Sequence, residues 1–272
     1  MSSLKKMAKL SFRRFGLEIV SSNSLSKNKA GEKEQNQNLY SKNLLYEADA
    51  QFQKFYSEGV KISGTPDPYA FTSFSKRQER FYNLVQFLSQ VLPLEGRIIE
   101  CGCWKGLSSY IMCNYLKGSD SDFEGQNFFV VDSFEGLSEA SEFDKILDLA
   151  VTGKVEKTGA PAGCFSASMQ EVKQTLSEFP KISYVKGWIP SIFEELTEAL
   201  YKFVHVDVDL YDPVNDSIRY FYPRLIEGGI IMLDDYGSLY WPGAKKAVDD
   251  YCEEENIPLL KLSTGQAVIW KH

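Results

Sequence analysis

Between residues 76 and 271 the apolar positions follow two alternating rhythms. In KRQERFYNLVQFLSQVL (76–92), Phe81, Leu84, Val85, Leu88, Val91 and Leu92 recur every three or four residues, which predicts an amphipathic helix. RIIECG (97–102) and NFFVVDSF (127–134) are short, nearly continuous apolar runs, the pattern of strands covered on both faces. Residues 107–117 between them predict a helix. Ser168 and Glu171 have capping-box spacing and open a helix carrying Met169, Val172, Leu176 and Phe179. ISYVKG (182–187) is a third strand, and Ser191 with Glu194 repeats the capping-box spacing ahead of another helix. A fourth strand covers 202–208. Asp212 followed by Pro213 predicts a helix start, with Asp212 as N-cap, and Gly228-Gly229 predicts its end. GGIIMLDD is a fifth strand, 243–256 a helix, and PLLKLST with QAVIWK a closing hairpin-like pair.

Five strand–helix units followed by two strands predict an α/β fold, a Rossmann-like, doubly wound, mostly parallel seven-stranded sheet with helices on both faces. In such a sheet the ligand sits outside the carboxyl ends of the strands. That rule gathers Glu100, Asp132, Asp207, Asp234 and Asp235 into one region. The stretch FVHVDVDLYDP (203–213) sharpens the point. Val204, Val206 and Val208 alternate with His205, Asp207 and Asp209, so one face of a buried strand ends in two acids. Buried carboxylates need a partner, a cation or a shifted pKa.

The bulk numbers narrow the class. The 272 residues carry a formal charge of −7 and 43% hydrophobic residues, enough for one large domain with extensions. An acidic balance argues against nucleic acid as the partner. Five scattered cysteines, with Cys101 and Cys103 at a strand end, read as packed thiols in a reducing, cytoplasmic compartment. No apolar run reaches membrane-spanning length, and no secretory leader pattern opens the chain. Residues 1–20 differ from the rest. Lys5, Lys6, Lys9, Arg13 and Arg14 are interspersed with Leu4, Met7, Leu10, Phe12 and Phe15, a basic amphipathic pattern suited to peripheral contact with an anionic membrane; a solvated extension is the alternative. Residues 21–40 read as a flexible polar linker, and the folded domain is expected from 41 to 272.

Residues 98–106, IIECGCWKG, place Glu100, Gly102 and Gly106 between a strand and a helix. The spacing E-x-G-x-x-x-G is not the G-x-G-x-x-G of dinucleotide sites, which weakens a pyrophosphate reading. Asp132 ends the next strand, where an acid binds ribose hydroxyls in nucleotide-binding α/β folds. Two strand-end acids without a diphosphate loop fit an adenosine ligand such as S-adenosylmethionine.

RIIECGCWKGLSS, VVDSFEGLSE, FSASMQEVK, YVKGWIPSIF, HVDVDLYDP, FYPRLIEGGIIMLDDYG and WPGAKKAVDDY, in this order, resemble the macrocin-type (TylF-like) O-methyltransferase family of class I S-adenosylmethionine-dependent methyltransferases. The resemblance runs from about Pro66 to Trp270. It implies bound S-adenosylmethionine, a divalent metal, usually Mg2+, held by strand-end aspartates, and a sugar hydroxyl as acceptor. Carried onto this chain, it places Glu100, Gly102, Gly106, Ser108, Asp132, Ser133, Lys186 and Gly187 around the cofactor. It places Asp207, Asp234 and Asp235 around the metal, with Asp207 or Asp209 as general base. His205, inside the strand, reads as a hydrogen-bonded core residue, with catalysis as the less favoured alternative. Residues 138–163, where a lid over the acceptor would lie, match no motif. The competing functions are a methyltransferase for a catechol-like or other small diol, a non-catalytic S-adenosylmethionine-binding protein, and a nicotinamide-dependent oxidoreductase. A homo-oligomer is compatible with each.

Overall fold

The computed structural model describes residues 45–66, 74–148, 154–158, 160–196 and 198–272. The basic segment 1–20 and the linker 21–40 lie outside the described residues. The chain divides into two units, Met1–Ala48, of which the helical turn Leu45–Ala48 is described, and Asp49–His272.

The second unit opens with α1 (Ala50–Ser63), whose first turn is closed by Phe52 N donating to Asp49 Oδ1 at 2.9 Å. Then follow α2 (Phe74–Gln90), β1 (Arg97–Cys101), α3 (Leu107–Ser119) and β2 (Phe128–Asp132). An antiparallel pair, β3 (Lys145–Asp148) and β4 (Lys154–Thr158), is inserted before α4 (Met169–Thr175) and β5 (Ser183–Lys186). The chain closes with β6 (Tyr201–Val206), α5 (Tyr211–Phe221), β7 (Leu225–Leu233), α6 (Pro242–Glu254), β8 (Leu260–Lys261) and β9 (Ala267–Trp270).

The main sheet has seven strands in the order β5-β2-β1-β6-β7-β9-β8. The first five are parallel; β9 runs antiparallel to β7, and β8 to β9. Period-two alternation splits the core cleanly. Ile99, Cys101, Val204, Val206, Ile231 and Leu233 pack with Val214, Ile218 and Phe221 of α5 and Ala247 and Val248 of α6. Ile98, Phe128, Val130, Phe203, Ile230 and Met232 face the other way, onto Leu84 and Leu88 of α2, Met112 and Leu116 of α3, and Val172 of α4. The near-continuous apolar strands are therefore buried on both faces, as their composition required.

Ser168 and Glu171 form the expected capping box, and Cys101 and Cys103 are buried free thiols. Other local expectations are corrected. Ser191 lies inside a 3-10 turn, Ser191–Glu195, with Pro190 at its N-cap and no side-chain cap. Helix α5 starts at Tyr211, ahead of Asp212, and its N-cap Leu210 makes no side-chain bond. The missing cap arrives from a distance, because Tyr211 N donates to Asp144 Oδ1 at 2.8 Å. The helix ends at Phe221, and a 3-10 turn, Tyr222–Arg224, leads straight into β7, so Gly228-Gly229 lies within a strand. Strand β6 ends at Val206 because the backbone leaves extended geometry soon after, with Asp209 at φ 59°.

Among the described residues, no helix is long and apolar enough to cross a membrane.

Candidate active site

The carboxyl ends of the parallel strands open onto a cavity of about 270 Å³ whose wall includes Gly102, Asp132, Gly187, Asp207 and Asp234. Each of these follows or ends a different strand, β1, β2, β5, β6 and β7 respectively. Five aromatic residues, Phe81, Trp104, Phe165, Trp188 and Tyr240, are among its lining. Three cavity residues, Trp104, Phe165 and Asp209, hold left-handed backbone at φ 44°, 60° and 59°. Such conformations cost about 1–3 kcal/mol each and concentrate where geometry serves a ligand.

Gly102 shows why this turn needs glycine. Its φ is +82°, and a Cβ there would lie 1.9 Å from the carbonyl oxygen of Asp207. The β1 and β6 chain ends can approach this closely only without a side chain. Asp132 is fixed at the wall by two backbone donors, Cys103 N to Oδ2 and Phe134 N to Oδ1, both 2.7 Å. Ser133 also lines the cavity, but its hydroxyl is spent on its own turn, donating to Gly136 O at 3.0 Å and accepting from Glu135 N at 3.1 Å. Gly187 N donates to Asp132 O at 3.0 Å, which ties the β5 end to the β2 end.

Four residues expected at the cofactor do not line the cavity. Glu100 is fully buried on the sheet face beneath α2 and α3, where Ser109 Oγ donates to its Oε2 and its Oε1 lies 2.8 Å from His205 Nδ1. The strand places it one pleat below Gly102, so its carboxyl turns into the core rather than toward a ligand. Gly106 is the N-cap of α3 at φ 80°, where a Cβ would meet Val172 Cγ1 at 3.3 Å, so its role is close helix packing. Ser108 is buried in the first turn of that helix. Lys186 points outward and pairs with Glu135 Oε1 at 3.1 Å.

The acids expected at the metal do converge. One carboxylate oxygen each from Asp207, Asp234 and Asp235 lies within 4.8 Å of the others. Burial, and then the charges of Asp234 and Asp235, hold the Asp207 carboxyl well above its usual range. Burial, followed by the charges of Asp235 and Asp207, does the same to Asp209. Burial also raises Asp235. Asp234 goes the other way: burial opposes its charge, but Arg80 and His205 outweigh it and hold the carboxyl low. These are the marks of carboxylates crowded together without enough positive charge. Asp235 Oδ2 is buried and has no hydrogen-bond partner. An oxygen-rich set with an unpaired carboxylate oxygen fits a hard divalent cation such as Mg2+.

Arg80 was not legible as a site residue. It comes from α2, and its Nη2 contacts Asp234 Oδ2 and lies 3.1 Å from Asp235 Oδ1. The available signal was its position four residues before Leu84, on the apolar stripe of a helix, where a cation needs a buried acid. Gln266, also missed, donates from Nε2 to Asp234 Oδ1 at 2.7 Å. Phe165 opens the quoted stretch FSASMQEVK but was given no role there, and Tyr240 falls between two quoted stretches.

The family profile described as Macrocin-O-methyltransferase (TylF) matches residues 15–272. The match thus begins well before Pro66 and takes in the whole linker and the end of the basic segment. The 8-demethyl-8-(2,3-dimethoxy-alpha-L-rhamnosyl)-tetracenomycin-C 4'-O-methyltransferase of Streptomyces olivaceus is 23% identical over 244 residues, covering 85% of this chain and 88% of the relative. The demethyldecarbamoylnovobiocin O-methyltransferase of Streptomyces niveus is 25% identical over 224 residues, 76% of this chain and 80% of the relative. Among solved structures, the O-methyltransferase NovP superposes with a TM-score of 0.59 at 21% identity, covering 82% of this chain and 97% of NovP. These matches set aside the nicotinamide and non-catalytic readings. The chain belongs to the TylF macrocin-O-methyltransferase family and is an S-adenosylmethionine-dependent O-methyltransferase.

Proposed function

We propose that the enzyme methylates a hydroxyl of a sugar or glycosylated small molecule, with a divalent cation, Mg2+, held by Asp207, Asp234 and Asp235. The observation that carries the metal is the three-carboxylate cluster at the cavity edge, with Asp235 Oδ2 left unpartnered although Arg80 already touches its neighbours. Support for the acceptor comes from the Streptomyces olivaceus relative, which is named for a rhamnosyl-bearing substrate.

S-adenosylmethionine supplies an activated methyl group, and a bound cation makes a hydroxyl more acidic. The chain's own residues do the rest. Asp132, held by Cys103 N and Phe134 N, presents its carboxyl to ribose hydroxyls, with Gly102 and Gly187 giving the ligand close backbone approach. Trp104, Phe165 and Trp188 exclude water around the reacting atoms. Asp207 and Asp209 both line the cavity from the β6–α5 loop, where either would be open to an acceptor hydroxyl. In this assignment Asp207 holds the cation and Asp209 is placed to take the proton.

The test pairs Asp207→Asn with wild type in a calorimetric titration of S-adenosylhomocysteine and a turnover assay on diol-bearing glycosides, with a catechol in the same panel. The reading expects cofactor affinity within about threefold of wild type and turnover lowered at least about a hundredfold. Wild-type turnover in Asp207→Asn would sink the assignment, and turnover on the catechol alone would replace the sugar acceptor.

A further inference from the structure

The mechanism so far leaves one buried ionisable pair unused. Glu100 is fully buried and His205 is 1% exposed, on a sheet face otherwise lined by Phe128, Val130, Phe203 and Met232. Such a pair is costly to desolvate, and apolar residues of similar size would serve packing as well or better. Its place in the sheet suggests what keeps it there. Glu100, His205 and Met232 are neighbours across β1, β6 and β7. Two residues further on, just past the end of each strand, stand Gly102, Asp207 and Asp234. The buried pair therefore forms the row directly beneath the acids.

The contacts run upward from that row. Ser109 Oγ donates to Glu100 Oε2. Glu100 Oε1 lies 2.8 Å from His205 Nδ1, which fixes the ring so that Nε2 is turned toward Asp234. Nε2 stands 3.8 Å from Asp234 Oδ1, an ion-pair distance rather than a hydrogen bond, and has no other partner. The same oxygen accepts from Gln266 Nε2 at 2.7 Å, and Gln266 in turn donates to Arg80 O at 3.2 Å. Arg80 contacts the other oxygen, Asp234 Oδ2. Asp234 is thus held from three sides, by Gln266 of the β8–β9 turn, Arg80 of α2 and the buried histidine.

We propose that Glu100 and His205 are a positioning pair for the carboxylate of Asp234, not a cofactor contact. The proposal rests on the reading of Asp234 as a metal ligand. Carboxylates that orient metal ligands from behind change metal affinity about 10–100-fold when altered, without touching the metal themselves.

The test uses the full chain and Mn2+ as the probe, titrated in the presence of S-adenosylhomocysteine without acceptor and read by calorimetry and electron paramagnetic resonance. Glu100→Gln and His205→Gln should each weaken Mn2+ about 10–100-fold and leave S-adenosylhomocysteine affinity within about twofold. In the double variant the second substitution should add little, because Glu100 acts through His205. If Glu100→Gln fails to fold, His205→Gln alone carries the same readout. Weakened S-adenosylhomocysteine with unchanged Mn2+ would overturn the proposal in favour of a cofactor contact. A lowered melting temperature with both affinities unchanged would overturn it in favour of a purely structural role. Absence of Mn2+ binding by wild type would bring down the metal reading itself, a result distinct from wild-type binding that the variants retain.

Discussion

Asp144 Oδ1 accepts the backbone N–H of Tyr211 at 2.8 Å, across 67 residues of sequence. Its other oxygen accepts from Ser141 N and Ser141 Oγ, both at 2.8 Å. A Cβ at Gly243 would lie 1.8 Å from Asp144 Oδ1, so the start of α6 also closes on this carboxyl. Neither α5 nor α6 carries a side-chain cap of its own. One buried aspartate before the β3–β4 insert therefore sits at the start of both helices that follow the acid-bearing strand ends. Removing it leaves the Tyr211 N–H unpaired. Asp144→Ala should cost about 1–3 kcal/mol in denaturant unfolding, and Asp144→Asn, which keeps an acceptor, less.

Gly102 offers a steric test. With φ at +82° and Asp207 O 1.9 Å from a built Cβ, Gly102→Ala must push β1 and β6 apart at their ends. The backbone conformation alone should cost about 1–3 kcal/mol. The added methyl at Gly102 should weaken cofactor binding and the displaced Asp207 metal binding, both read by calorimetry on the folded fraction.

Arg80 neutralises part of the acid cluster without filling it. Arg80→Met should leave Asp234 with only Gln266 and His205, and the buried Asp235 without its cation, a loss of about 3–5 kcal/mol. The melting temperature should fall most in chelator and recover in part as Mg2+ is added, since a ligand that binds the folded state alone stabilises it. A melting temperature insensitive to Mg2+ in this variant would count against cation binding at these residues.

Asp207 and Asp209 separate by readout. Both face the cavity, but Asp207 alone belongs to the three-carboxylate cluster. Asp209→Asn should lower kcat about 10²–10⁴-fold with metal affinity retained. Asp207→Asn should lose both.

The architecture was legible because each layer follows a simple period. The apolar runs RIIECG and NFFVVDSF announce doubly covered strands, and the spacing from Phe81 to Leu92 announces α2. The strand ends then locate the cavity by topology alone. What stayed hidden depends on long-range pairing. Asp212 and Pro213 carry a strong local helix-start signal, yet α5 begins earlier because Asp144 caps it from another segment. Glu100 sits in a motif that reads as ligand-facing, but the pleat turns its carboxyl into the core beside His205. Arg80 and Gln266 meet Asp234 from a helix and from the β8–β9 turn, far apart in sequence, and no local pattern encodes that meeting.

The measurement closest to the central claim is methyl transfer from labelled S-adenosylmethionine to a diol-bearing glycoside, run with Mg2+ and again after exhaustive chelation. Cofactor binding is followed in parallel by S-adenosylhomocysteine titration. The account predicts transfer with Mg2+, its loss in chelator with S-adenosylhomocysteine still bound, and its return when Mg2+ is restored. Equal transfer rates in both conditions would contradict a cation at Asp207, Asp234 and Asp235.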